Sequence, residues 1–179
     1  MKVRRVVTKN GPDGRGVVVS DDPAPRTHDF VTIPAMSQTL VWSSEPSSAL
    51  DGVDLTAAVD NFVPGAGATR FIVLQIPPDG PADSTIDPRD VVAESLAASP
   101  GIAERFEPDG SGMHEMSTID YVVVIRGVLD LDLGAGQVLS LYPGDVAVQC
   151  GARHAWRNHT DEPAVAAFVL VGLRDAEVR

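Results

Sequence analysis

From Tyr121 onward the chain is divided into short apolar runs separated by glycine-containing turns, and this pattern constrains the fold more than any other feature. Tyr121 to Ile125, Val128 to Leu133, Gln137 to Leu141, Asp145 to Gln149 and Ala164 to Val171 each have the length and β-branched content of a strand. Short antiparallel strands at such spacing predict an all-β sandwich or jelly-roll barrel. Earlier in the chain, Val3 to Thr8 and Gly16 to Ser20 flank the turn signal Asn10-Gly11-Pro12-Asp13-Gly14, which predicts an N-terminal hairpin. Gln38 to Trp42 and Arg70 to Ile76 are the next strands, separated by a Ser-, Pro-, Asp- and Gly-rich stretch that reads as loops. Pro77-Pro78 ends the second of them. A helix is expected over Asp87 to Ala98, with Asp87 as N-cap, Pro88 at the first helical position, and Val92 and Leu96 one turn apart. A second short helix follows Pro100. No internal repeat is visible.

At 179 residues the chain suits one domain with a proper core. Its formal net charge of -11 repels phosphate backbones and anionic lipid, so nucleic-acid and membrane partners are not expected. The basic start, Lys2, Arg4 and Arg5, leads into an apolar stretch too short for a signal peptide, and no apolar run is long enough to span a bilayer. The single cysteine, Cys150, excludes an internal disulfide; with apolar neighbours it reads as inert, and a reducing cytoplasm is the expected compartment.

Chemistry concentrates between Met113 and Asn158. His114 and Asp120 precede the strand from Tyr121, and His154 stands near the end of the series. Two imidazoles and one carboxylate are the donors of an open metal centre. On a continuous strand, six residues at about 3.3 Å each would separate His114 from Asp120 by roughly 20 Å, beyond the reach of one metal. Either the chain turns at Ser117-Thr118-Ile119 and brings Asp120 back beside His114, or Asp120 is no ligand and caps a turn or pairs with Arg126 or Arg153. Met116 offers a soft thioether, better suited to packing than to a hard metal. Gln149 supplies an amide that contacts metal or substrate, or simply faces outward. Tyr121 is a hydrogen-bond donor near Asp120 or a core residue. Trp156 and Arg70 are weaker candidates for a pocket. His159 reads as an exposed turn residue, and His28 falls in a Pro-flanked loop with no assignable role.

The same residues resemble the cupin superfamily. Its first block is a Gly, five residues, His-x-His, three or four residues, Glu, six residues and Gly. His114 fills the first His, Met116 stands in place of the second, Asp120 occupies the Glu position and Gly127 follows after six residues, while Pro108 replaces the opening Gly. In the second block Gly144, His154 and Asn158 match; Cys150-Gly151-Ala152 replaces Pro-x-Gly, and the block is one residue short. The run from His114 to Asn158 looks like a branch of largely uncharacterised single-domain bacterial cupins, in which the second His is commonly no ligand and a Gln precedes the last histidine.

The resemblance implies one cupin jelly-roll domain over 1–179: N-terminal strands over 1–78 that complete the barrel or a homodimer, a loop and helical insertion over 79–112, and the barrel core over 113–175. It implies the turn that joins Asp120 to His114, and one divalent transition metal (Fe, Zn or Mn) held by His114, Asp120 and His154, with Tyr121 and Gln149 as catalytic candidates. The function expected is oxygenase or decarboxylase/lyase chemistry on a small oxygenated organic acid or aromatic. A non-redox Zn cyclase or dehydratase and a non-catalytic ligand-binding cupin are the alternatives. The helical insertion is expected to act as a lid, a dimer contact or a cover for the barrel's outer face.

Overall fold

The computed structural model describes residues 1–80 and 84–174. Residues 81–83, in the expected loop, and residue 175, at the end of the expected barrel core, lie outside the described residues. The N-terminal hairpin forms as predicted: β1 (Arg4–Asn10) pairs antiparallel with β2 (Gly16–Pro23) around the Gly11–Gly14 turn. A six-stranded antiparallel sheet follows the order β3-β4-β5-β11-β6-β9, comprising β3 (Arg26–Asp29), β4 (Ser37–Ser44), β5 (Thr69–Ile76), β6 (Thr118–Arg126), β9 (Val146–Cys150) and β11 (Ala164–Gly172). A three-stranded sheet has β7 (Leu129–Asp132) between β10 (Ala155–Arg157) and β8 (Val138–Leu141). The fold is the expected jelly roll, although the sheets do not zip into one closed barrel. Among the described residues no helix is long and apolar enough to cross a membrane.

Strand alternation explains which side chains meet between the sheets. In β6 every second residue from Thr118 to Val124 is buried, so Thr118, Asp120, Val122 and Val124 point inward. Leu40 from β4, Ile72 from β5, Phe168 and Leu170 from β11, and Leu129 from β7 complete this core. Each such side chain contributes about 1.5–3 kcal/mol through burial. Motif residues also do structural work. Gly127 has φ 74°, and a Cβ there would stand 2.9 Å from the Ala164 Cα. A side chain is therefore excluded both by backbone conformation and by the close passage of β11. Asn158, fully buried, donates from Nδ2 to the Ile76 and Glu162 carbonyls and accepts from Thr160 at Oδ1, fixing the turn that leads into β11.

The helix α1 (Pro88–Ala98) starts as expected: the Asp87 side chain accepts from the Arg89 N–H, and Pro88 occupies the first position. Its inward stripe is not the Val92–Leu96 pair, which is exposed, but Val91, Glu94, Ser95 and Ala98. Gln38 tethers the helix end, accepting from Ser99 Oγ and donating to the Ala98 carbonyl.

Candidate active site

A cavity of about 240 Å³ lies between the sheets, floored by Ile72, Leu74 and Phe168 and covered by α1 and the segment around Phe30, Ile33 and Met36. Ser95, Ser99, Ile102 and Phe106 face it, so the helical insertion roofs this cavity. His114, Asp120, His154, Met116 and Trp156 all line it.

His114 and His154 are brought together by backbone pairing. They form an isolated antiparallel bridge in which each N–H donates to the other's carbonyl at 2.9 Å. Their rings lie 4.5 Å apart between centroids. Phe106 abuts His114 edge-on at 4.9 Å, and Trp156, two residues beyond His154 on the same face, abuts its ring at 5.6 Å. His114 Nδ1 contacts the Gly112 carbonyl at 3.1 Å and His154 Nδ1 contacts the Ala152 carbonyl at 2.7 Å. A carbonyl only accepts, so each Nδ1 carries the proton and each neutral ring keeps a lone pair on Nε2. Burial holds both rings in that neutral state: it lowers the pKa of His114, and it lowers that of His154 to about 4, with the neighbouring His114 adding to the effect.

Asp120 reaches the cavity from the opposite sheet. The chain leaves the His114 bridge, crosses at residues 115–117 and enters β6 at Thr118; the turn expected at Ser117-Thr118-Ile119 is therefore absent, because Thr118 and Ile119 are already paired strand residues, and Asp120 is not brought back beside His114. Burial raises the Asp120 carboxyl to about 6, and its Oδ1 is buried without a hydrogen-bond partner. Among the described residues, however, no group of three or more His, Cys, Asp or Glu is gathered closely enough to hold a metal ion. The imidazole pair is assembled; the carboxylate shares its cavity from across the space.

The other expectations divide. Met116 is buried in the core cluster and lines the cavity, and Trp156 is part of its wall. Gln149 is directly opposite Asp120 in the β6–β9 register, buried with Nε2 unpaired, but set beside the cavity rather than in its wall. Tyr121 is turned the other way: alternation places it on the outer face, 46% exposed, so it does not serve this cavity. Arg70 is not a pocket residue either; its guanidinium is buried against Glu45 and the Asn61 and Thr69 carbonyls. His28 belongs to β3, not a loop, and pairs with Glu94; His159 is exposed as expected but pairs with Asp130. Cys150 is exposed rather than embedded in apolar surroundings. Sequence reasoning missed Phe30, Ile33, Phe106 and Phe168, whose only signal was ordinary hydrophobicity.

No family model matches the chain. Phomopsin biosynthesis cluster protein D of Diaporthe leptostromiformis is 38% identical over 109 residues, 52% of this chain and 56% of that protein. The cupin-domain-containing oxidoreductase srdB of Neurospora crassa is 31% identical over 66% of this chain and 59% of its own length. The cupin-domain-containing oxidoreductase fogC of Aspergillus ruber is 26% identical over 99% of this chain and 76% of its own. The chain thus spans little more than half the length of the first curated relatives it matches. The Cupin_2 domain of an XRE family transcriptional regulator from Enterobacter cloacae shares 20% identity over 59% of this chain and 83% of that one, with a TM-score of 0.37. With its motif histidines paired inside a jelly roll, the chain is similar to proteins named as cupin-domain oxidoreductases. These curated relatives are fungal and lend no support to the bacterial branch expected from the motif.

Proposed function

We propose that this protein is a cupin that transforms a small, mainly apolar molecule in the cavity between its sheets, as an oxidoreductase of secondary metabolism, with His114, His154 and Asp120 as the working groups. The observation that carries the reading is the imidazole pair, two neutral rings with Nε2 lone pairs at the wall of an apolar cavity. The names of the relatives support the reaction class and the metabolic setting.

The donor chemistry fits a divalent transition metal such as Fe, Zn or Mn. Imidazole nitrogens suit all three, and the unpartnered Asp120 oxygen is a buried acceptor of the kind a cation satisfies. His114 and His154 would hold the metal, while Asp120 lines the same cavity without being gathered to them. When bound, such a metal polarises a substrate oxygen or binds dioxygen. The chain's own residues do the rest. The Gly112 and Ala152 carbonyls fix ring tautomer and orientation. The apolar walls exclude water, and Asp120, with its carboxyl near 6, accepts or returns a proton at neutral pH.

A second reading, non-redox proton transfer by Asp120 in a dehydratase or cyclase, is favoured by the carboxylate's separation from the imidazole pair. Elemental analysis of the purified protein, with oxygen uptake measured after Fe(II) loading, separates the two. Stoichiometric metal whose chelation abolishes turnover supports the first. Turnover that survives chelation and is lost in Asp120→Asn refutes it in favour of the second.

A further inference from the structure

The roof of the cavity is polar where α1 ends. Gln38 and Ser99, both buried, line the cavity together with Ser95, one turn earlier on the helix. The Ala98 carbonyl only accepts, so the Gln38 amide is oriented with Nε2 toward it at 3.2 Å and with Oε1 receiving the Ser99 hydroxyl at 2.8 Å. One Nε2–H of Gln38 is left over. The Ser95 hydroxyl hydrogen-bonds no described residue. Both are uncharged donors, and the neighbouring Glu94 carboxylate is turned away from them to His28, Val31 and Thr32. This polar group stands far from the imidazole end. Strand β4, which carries Gln38, lies three strands from β6, which carries Asp120, or roughly 14 Å across the sheet at about 4.8 Å per strand. The register also aligns Gln38, through Leu74 and Ala166, with Val124 rather than with Asp120. Strands β5 and β11, between them, contribute the apolar floor of Ile72, Leu74 and Phe168.

Granting the reading that this cavity is the working site, we infer that the Ser95 hydroxyl and the spare Gln38 N–H form a second recognition point, a subsite for an uncharged acceptor oxygen, such as a ketone or amide carbonyl, at the end of the substrate remote from His114 and His154. The substrate class is then an elongated molecule, polar at both ends and apolar between them. The imidazoles keep the metal, and Asp120 keeps its proton-transfer role. Among the described residues neither Lys nor Arg lines the cavity, so an anionic head finds a cation only at the metal end, and the roof suits a neutral group. A ligand that fills the cavity shuts water away from the two roof donors, and an acceptor that meets them avoids the cost of leaving them unpaired. Ser95 is thus a specificity-determining residue: it acts on which molecule is held, not on the reacting atoms.

Isothermal titration of the full chain as purified, with its metal content measured, compares 6-acetyl-2-naphthol with 6-isopropenyl-2-naphthol. The two share a skeleton and the naphthol hydroxyl; a C=C replaces the C=O in the second, which keeps the shape and removes the acceptor. The ketone should bind about ten-fold tighter, the worth of one or two neutral hydrogen bonds. Ser95→Ala deletes a hydroxyl that has no partner among the described residues and suits a helix, so the domain should melt as the wild type does while the ratio falls to about three-fold or less. Ser95→Thr returns the hydroxyl and should restore the ratio, because its added bulk weighs on both probes alike. The carbonyl stretch of the bound ketone should move to higher wavenumber in Ser95→Ala but not in Ser95→Thr. A ratio near one in the wild type, a ratio unchanged in Ser95→Ala, or no binding by either probe would overturn the inference. Metal content and turnover are read separately. A ratio that depends on Ser95 in a protein without metal or turnover leaves the subsite standing and removes the enzymatic reading, whereas metal-dependent turnover with a ratio indifferent to Ser95 does the opposite.

Discussion

Glu94 should control whether the cavity is open. Helix α1 has no fully buried residue, so little hydrophobic burial holds it down. Its anchor is the Glu94 carboxylate, which accepts from His28 Nε2 at 2.9 Å, from the Val31 and Thr32 N–H groups at 2.8 Å each, and from Thr32 Oγ1. Burial alone would push this carboxyl up, but the Thr32, Val31 and His28 contacts together outweigh it and bring it from 4.5 down to about 2. That difference corresponds to about 3 kcal/mol favouring the ionised, folded form, reduced by solvent screening to about 2 kcal/mol. Glu94→Ala should therefore raise the population with α1 released by about 30-fold. Hydrogen exchange followed by mass spectrometry should show faster exchange by that factor over 88–98 while β5 and β11 keep their protection. The folded pKa is depressed, so the anchor is fully present above about 4.5 and is lost as pH falls toward 2. The wild type should accordingly approach the variant in acid, after correction for intrinsic exchange. Equal acceleration in β5 and β11 would show that Glu94 supports the whole domain rather than a lid, and no acceleration would show that the contacts hold nothing.

His154→Ala should reduce metal content from about one per chain to near zero, since it removes half of the imidazole pair; full occupancy by elemental analysis would exclude His154 as a ligand. Met116→Leu, similar in volume, should cost under about 1.5 kcal/mol in urea unfolding and leave metal content unchanged, and loss of metal would instead identify the sulfur as a ligand. Asp120 carries a raised carboxyl pKa, about 6, so in chelated protein its contribution to stability is present below about 4 and lost as pH rises through 6. Asp120→Asn should therefore be more stable than wild type at pH 7.5, by about 1–3 kcal/mol, with the difference shrinking toward pH 4. His154, with its pKa lowered to about 4, works in the opposite sense, losing stability as pH falls from 6.5, and cancels in this comparison. Thermal melts of both proteins at several pH values check the sign, and a variant less stable at pH 7.5 would refute it.

Local chemistry determined much of this architecture. The Asn10–Gly14 turn, the Asp87-Pro88 helix start and the β-branched runs from Tyr121 onward act over a few residues, and each element formed where those signals stand. Gly127, His154 and Asn158 were legible as a spaced motif, whereas the outer-face position of Tyr121 was not: the sequence offers it as a hydrogen-bond donor near Asp120 or a core residue, and strand alternation exposes it instead. Strands β3 and β10 were not legible, because four- and three-residue segments form only when a neighbouring strand supplies their hydrogen bonds. Nor could the sequence distinguish cavity wall from core. Phe30, Phe106 and Phe168 carry the same apolar signal whether they touch one another or a ligand, and only the spacing of the two sheets and the seating of α1 leave the space between them. The same spacing governs the candidate metal ligands. Backbone pairing brings His114 to His154 from distant parts of the chain, while Asp120 faces them from the opposite sheet, a separation that no sequence interval encodes because it is set by packing across the core.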